Sequence, residues 1–588
     1  FNDEQKKAII SDNPHILCLA GAGSGKTTVL TKRIEFLVKY CSVEQKKILA
    51  ITFTRKARSE MMRRLEHLTE VNIETFNSFC EKILRQYNNL IYNKPVRVIN
   101  YRDKIMIVNK ALLNLNISHE QVINTYFTQA QKGGKTTEQL SNIFMNECFF
   151  IRDYYKFKNK SLRKLSFEQE DDDAKPDINE LIYKTTTNTP RHKKSTEIVF
   201  GVCNYIEAYM KKEGLRDFAD QLVDAIKLFE THKELIPQFD YILIDEYQDV
   251  NSTQIKLIDI FNPKNLFCVG DPRQSIYGWR GSDIRYILNF EDKYPDCDII
   301  TLTKNYRSTK HLVDLINKSI KNMGLANLQS TIDGEKDINL LKFDSEDEEH
   351  EFVLKKIIAS DLPRKEIFVL ARVNRQLHEM SQKMKLVGIK HVVRSDEVKR
   401  SAKAKIEDIT LATIHAIKGM EADMVFVVGC NALNFPCKGS EHPIIDMVKV
   451  EEYDKEEEER RLFYVAMSRA KKTLYLTYPS KKHTYFITNS MLEIIGGTKA
   501  QPKLKEKINF NMPELSGDLI TRLKKWRGAL AGKMELPAYC ILHDRTLLEI
   551  AQKMPKTSAQ LQEIYGFGPG KIEKYGDDIL QIINSLKD

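Results

Sequence analysis

The stretch LCLAGAGSGKTTVL, residues 17 to 30, decides the fold class. On its N-terminal side, His15 to Ala20 (HILCLA) reads as a short buried strand, and from Thr27 to Val38 the apolar residues take helical spacing. The loop between them therefore sits at a strand-to-helix turn, where main-chain N–H groups at a helix start attract anions. Glycine at 21, 23 and 25 lets those groups converge on phosphate oxygens without Cβ clashes, Lys26 supplies a point charge, and the Thr27 hydroxyl can hold Mg²⁺. Gly21, Ala22, Gly23, Ser24, Gly25, Lys26, Thr27 and Thr28 are accordingly the expected nucleotide-phosphate site. Ala20 stands where such loops usually begin with glycine. Kinases, transporters, GTPases and motors all share this loop, so it specifies a nucleotide and no more.

A second motif points to hydrolysis. Tyr241 to Ile244 (YILI) is a β-branched and aromatic strand running into DEYQD, residues 245 to 249. Carboxylates at the end of a neighbouring strand can reach the same phosphates, with Asp245 binding Mg²⁺ through water and Glu246 polarising the attacking water. The 588 residues suffice for several domains, and no apolar run is long enough to span a bilayer, so a soluble, intracellular protein is expected. The ten cysteines are scattered, without a CxxC pair or zinc-type spacing, which argues against a disulfide framework or a metal cluster. A net charge of +10 permits a polyanionic partner without requiring one.

Further motifs follow in order. They are FNDEQ at the start, ITFTRKARSEM (51–61), TFNSFC (75–80), GDPRQSIYGWRGS (270–282), LTKNYRS (302–308), TIHAIKGME (413–421) and EERRLFYVAMSRA (458–470). With AGAGSGKT and DEYQD, this series resembles superfamily 1A DNA helicases of the UvrD/Rep/PcrA type, whose form of the phosphate loop explains Ala20. The resemblance implies an ATP- and Mg²⁺-dependent helicase or translocase moving 3′ to 5′ on single-stranded DNA and single-strand/duplex junctions. By the same resemblance Gln5 would read the adenine edge, Tyr306 stack on adenine, Glu421 bind ribose, Gln274 sense the γ-phosphate, and Arg33 lie near the nucleotide. Arg307 and Arg469 match the two arginine fingers, cations that stabilise charge developing on the transferring phosphoryl group. Phe53, Tyr277 and Trp279 fall at the base-stacking positions, and Arg55, Asn77, Arg280, His415 and Lys418 are the polar DNA-contact candidates. Arg55 and Arg58 depart from the usual Asn and Ala, and Ala416 and Ile417 stand where polar residues are frequent.

The expected class is α/β: two RecA-like parallel-sheet lobes, a helical insertion in the first, and a small all-α C-terminal domain. Residues 1–85 and 216–285 form lobe 1A, 86–215 a 1B-like insertion, 286–495 lobe 2A, 496–515 a linker, and 516–588 a module resembling an HRDC domain. The insertion reads helical from Asp103 to Tyr155 and near Ile198 to Lys212, with a polar loop between. Strands are expected at Ile338–Phe343, Ile367–Arg372, His391–Arg394, Ile409–Ile414 and Met424–Val428. The run KEEEERR, ending at Arg461, reads by itself as a solvated helix face. In the C-terminal module the GFGPGK turn (566–571) offers backbone amides and Lys571 to a phosphate, or merely joins two helices. Only about a hundred residues separate Ser308 from Thr413, too few for the large 2B domain of the family, and the unassigned part is the loop Asp396–Ile406. Two rival functions fit the same motifs: a motor subunit of a helicase-nuclease, and a DNA-bound ATPase switch or recruitment module that never unwinds. No protein partner can be named from the residues, and no membrane association is expected.

Overall fold

The computed structural model describes residues 1–133, 135–160, 190–320, 323–395, 407–437, 454–498, 516–533, 541–542, 544–564, 567 and 569–585. They fall into two compact units, Phe1–Gln501 and Pro502–Asp588.

The first sheet of the larger unit begins with β1 (His15–Ala20), β2 (Ile48–Thr52) and β3 (Asn72–Thr75). Every residue of β2 is buried, as expected of a parallel strand covered by helices on both faces. The chain then leaves for the insertion, whose base is bracketed by the two-residue strands β4 (Arg97–Val98) and β5 (Leu215–Arg216). Helices Tyr101–Asn114, His119–Tyr126, Thr137–Phe157 and Pro190–Glu213 enclose a core that includes Ile107, Phe144, Cys148, Val199 and Ile206. Most of the polar loop expected inside the insertion lies, at 161–189, outside the described residues, and its last residues, 190–194, open the helix Pro190–Glu213 instead.

On its return the chain adds β6 (Tyr241–Ile244), β7 (Asn265–Gly270) and β8 (Asp298–Leu302), completing a parallel sheet of order β3-β2-β6-β7-β1-β8. Two expectations change here. Strand β8 pairs with β1, Ile16 opposite Asp298, so the first sheet takes a strand from the stretch 286–495 assigned to the second lobe. An apolar run such as DIITL fits either sheet, and only pairing decides. Strand β7 also lies between β1 and β6, so the acidic motif is one strand removed from the phosphate loop instead of adjacent to it.

Strand β9 (Lys304–Thr309) pairs with β10 (Gln329–Ile332) in a separate ribbon. The second sheet comprises β11 (Asp337–Lys342), β12 (Ile367–Ala371), β13 (His391–Arg394), β14 (Ile409–Thr413), β15 (Ala422–Val427) and β16 (Ala470–Tyr478). It is again parallel, in the order β11-β16-β15-β12-β14-β13. Five of these strands match the expected segments within a few residues; β16 was not expected and lies inside the sheet, between the edge strand β11 and β15. The loop Asp396–Ile406 lies outside the described residues, between the paired strands β13 and β14.

The smaller unit is all-α, with helices Ser516–Lys533, Asp544–Lys553, Ser558–Gln562 and Pro569–Asn584 around Leu519, Leu523, Leu547, Ile550, Leu561 and Ile579. Tyr565, Gly566 and Gly568 of its glycine turn, and most of the linker, lie outside the described residues.

Candidate nucleotide and nucleic-acid site

In open parallel sheets, ligands bind beyond the carboxyl ends of the strands. The phosphate loop follows β1, Asp245 follows β6 and Asp271 follows β7, and these three strands lie side by side. Gly23 and Gly25 are left-handed, φ +72° and +87°, and Gly25 caps the helix Lys26–Lys39 with no side chain in the way. The buried Ser24 hydroxyl donates to the Gly21 carbonyl at 2.8 Å, which folds the loop on itself. Gln5, fixed by a capping box with Asn2, donates its side-chain amide to the Ser24 carbonyl at 3.1 Å. It is thus brought to the phosphate loop.

Arg33 is not. Its buried guanidinium donates to the carbonyls of Ala8, Ile9 and Ser11 at 3.2, 3.0 and 3.0 Å and lies over the Phe267 ring. Those carbonyls are the orphan acceptors at the end of helix Asp3–Ile10, so Arg33 braces the helix that carries Gln5 and does not face the phosphate loop.

Lys26 Nζ is buried and, among the described residues, has no hydrogen-bond partner; Glu246 Oε2 stands 3.8 Å away. Burial and then the charge of Glu246 push the Asp245 carboxyl up. Burial also works against the Glu246 carboxylate, but Lys26 and Lys418 outweigh it and hold that group low. An ammonium that, among the described residues, meets no hydrogen-bond acceptor, two adjacent carboxylates and a glycine cradle fit a nucleotide triphosphate with a divalent cation. Thr27, half-buried on the first turn of its helix, and Thr28 lie at the same helix start; the Thr28 hydroxyl accepts from Arg64 at 3.2 Å.

Residues following β8 close over this loop, and residues just before β15 and β16 meet them. The Tyr306 N–H donates to the Gly23 carbonyl at 2.9 Å while its side chain stays exposed, and Asn305 donates to the Ala22 carbonyl at 2.7 Å. Arg307 pairs with Glu421 at 2.5 Å and donates to the Ser468 carbonyl at 3.1 Å. Arg469 is fully buried, donating to Gln274 Oε1 and the Met420 carbonyl, both at 3.2 Å, and to the Ser468 hydroxyl at 2.8 Å. Burial, then the repulsion of Arg307, pulls its guanidinium down to about 9. Gln274 in turn donates to Asp271 at 2.8 Å.

The expected DNA contacts divide. Trp279 stacks on Phe150 of the insertion with centroids 6.0 Å apart, Arg280 lies 4.5 Å over its ring, and His415 meets it edge-on at 5.9 Å. Tyr277 lies beside them, its hydroxyl donating to the His415 carbonyl at 3.2 Å. Burial, then Arg372, Arg280 and Lys418, pull the His415 imidazole down to about 3, so the ring is neutral. Phe53 is half-buried, edge-on to Phe76, and Arg55 is exposed at the start of helix Arg55–Arg64. Two candidates are committed elsewhere. Lys418 Nζ lies 2.5 Å from Asp249 and 2.6 Å from the Gln274 carbonyl, held between the acidic motif and the loop after β7 by charge that a strand phosphate would have to displace. Asn77 donates to the Phe218 carbonyl and Gln221 at the root of the insertion, at 2.6 and 3.1 Å.

Sequence reasoning missed Asn305, whose position two residues before Arg307 was the available signal, and Phe150, hidden in the aromatic run FFIRDYY that reads as core. It also misjudged KEEEERR. Glu458, Glu459 and Arg461 are buried, so that helix face is packed and not solvated.

The profile of the UvrD/REP helicase N-terminal domain matches residues 1–295, half of the chain. The chain belongs to the UvrD/REP helicase family. The UvrD-like helicase C-terminal domain matches residues 300–399 and 394–481, and the HRDC domain matches 516–583. Among curated relatives, the chain is 33% identical over 394 residues to the ATP-dependent DNA helicase PcrA of Staphylococcus epidermidis, covering 64% of this chain and 48% of the relative. It is 30% identical over 401 residues to the probable DNA helicase II homolog of Mycoplasma capricolum, covering 65% and 50%. The chain thus spans about half the length of the curated relatives it matches. No described helix is long and apolar enough to cross a membrane.

Proposed function

We propose that the chain is an ATP-driven motor that moves 3′ to 5′ along single-stranded DNA and separates duplex ahead of it. The observation that carries this reading is that Arg307, on β9, stands against Gly23 of the phosphate loop, while the buried Arg469, just before β16 of the second sheet, donates to Gln274 on the loop that follows β7 of the first. Cations from one lobe facing a nucleotide held by the other make lobe closure depend on the nucleotide, a population shift that hydrolysis reverses.

In this mechanism the main-chain N–H groups of 21–27 and Lys26 bind the phosphates, and Thr27 and Asp245 would hold Mg²⁺, which would neutralise phosphate charge when bound. Glu246, kept ionised by Lys26 and Lys418, accepts the proton of the attacking water. Arg307 and Arg469 stabilise the charge that grows on the transferring group, and Gln274 links Arg469 to the loop bearing Trp279. Tyr306 and Glu421 serve base and ribose. Trp279, Tyr277 and Phe53 stack on bases, and Arg55 and Arg280 track the backbone.

The adjacency of β13 and β14, joined by a short segment, supports a core without 2B, in which duplex engagement falls to the insertion and to the HRDC-like end. The deciding experiment measures ATP hydrolysis with and without oligothymidylate, and strand displacement on 3′- and 5′-tailed duplexes. Lys26→Ala abolishes hydrolysis, and Glu246→Gln keeps nucleotide binding while losing turnover. Wild-type turnover in Glu246→Gln would remove the general-base assignment, and stimulated hydrolysis without displacement on either tail would favour a DNA-bound switch.

A further inference from the structure

The helix Lys455–Met467 begins in the charged run KEEEERR, yet two of its charges turn inward onto a single loop. The Glu458 carboxylate, 7% exposed, accepts from the main-chain N–H of Gly278 at 2.8 Å and of Trp279 at 3.4 Å. One turn on, Arg461 Nε donates to the Ser275 carbonyl at 2.7 Å. Just past the helix end, Arg469 donates to Gln274. At ~1.5 Å rise per residue, Glu458 and Arg469 stand roughly 16 Å apart along this helix. One rigid element therefore holds both ends of loop 274–279: the Gln274 end beside the nucleotide residues and the Trp279 end among the base-stacking rings.

A carboxylate is costly to bury unless its lone pairs are filled. Its neighbour Glu459 serves a different partner, Arg372. The two donors that Glu458 receives are both main-chain groups of the loop, so its hold survives any side chain at 278 or 279.

We propose that Glu458 is a positioning residue that ties the Trp279 backbone to the helix bearing Arg469, so that nucleotide-driven movement of this helix carries the Trp279 platform with it. The assignment rests on the motor reading and adds to it a named mechanical link between hydrolysis and grip. Glu458 touches neither the nucleotide residues nor a base, so its loss uncouples the two sites without dismantling either.

The chain has two tryptophans, so Trp526→Phe leaves Trp279 as the sole indole reporter. In that background, at pH 8, the indole emission and the affinity for oligothymidylate are measured with and without a non-hydrolysable ATP analogue, for Glu458, Glu458→Ala and Glu458→Gln. With Glu458 present, the analogue shifts the emission and changes strand affinity by ~5-fold or more, the usual range of site-to-site coupling. In Glu458→Ala both responses vanish, while strand-free ATP hydrolysis stays within about twofold of the parent. Glu458→Gln retains one acceptor and recovers part of the response; it carries the same comparison if the alanine variant does not fold. An unchanged nucleotide response in the variants, with strand-stimulated hydrolysis intact in the parent, overturns the role of Glu458 alone. A parent that neither hydrolyses ATP in response to the strand nor changes affinity overturns the motor reading and this link together.

Discussion

Replacing Gly23 by alanine tests how tightly the two halves of the nucleotide site are fitted together. Gly23 is left-handed at φ +72°, a conformation that costs an L-residue about 1 to 2 kcal/mol. Its added Cβ would stand 2.7 Å from Arg307 Cβ and 2.8 Å from Asn305 Nδ2. Carbon atoms rest at ~3.5 Å or more, so β9 has to retreat by roughly 0.8 Å or the loop has to deform. The stability loss is then about 2 to 3 kcal/mol, and in a protein of this size each kcal/mol lowers the thermal midpoint by only a few degrees at most. The effect on turnover is larger. Misplacing a catalytic group by about 1 Å costs ~100-fold, and removing an arginine finger costs ~10³-fold or more, so kcat is expected to fall at least ~100-fold. Steady-state ATP hydrolysis at saturating oligothymidylate, with nucleotide affinity measured separately, distinguishes this from simple loss of binding. A kcat within about threefold of wild type would refute the close fit of Arg307 against the loop.

Arg33→Met removes three hydrogen bonds to buried carbonyls at the end of the Gln5 helix, so chemical denaturation is expected to show a loss of about 2 to 4 kcal/mol together with a raised KM for ATP. Unchanged stability would mean that Arg33 does not brace this helix. Glu349 is fully buried, and burial pushes its carboxyl up to about 7, against ~4.3 in an unfolded chain. The folded state therefore holds this proton more tightly, and stability is greatest with Glu349 protonated and is lost as pH rises from about 4 through about 7. Glu349→Gln should flatten that decline by up to ~3 kcal/mol in melting curves between pH 5 and 8, and parallel curves for both proteins would count against it. Removing residues 516–588, which belong to the separate compact unit, should lower unwinding of a tailed duplex and leave strand-stimulated ATP hydrolysis nearly intact. Equal loss of both would mean that this unit supports the motor fold itself.

Sequence alone determined what depends on near neighbours in the chain. Residues 15–38 show a strand, a glycine turn and a helix because strand and helix periodicities, and the glycine requirement for positive φ, are local properties. The same holds for YILI before Asp245 and for the parallel strands of the second sheet read from their apolar runs. Tertiary structure decided which distant group each element met. It placed β8 in the first sheet, inserted β7 between the strands that carry the phosphate loop and the acidic motif, and set β16 between β11 and β15. It also decided the use of polar side chains: Arg33 on helix carbonyls, Lys418 on Asp249, Asn77 on the helix that follows the insertion, and Glu458 on the loop of Trp279. A long polar side chain carries no mark of its partner in its own sequence neighbourhood. Its partner is whichever group the fold brings within hydrogen-bond reach, and Glu458 of the charged run KEEEERR turns inward because main-chain donors from a loop almost two hundred residues away wait beneath it.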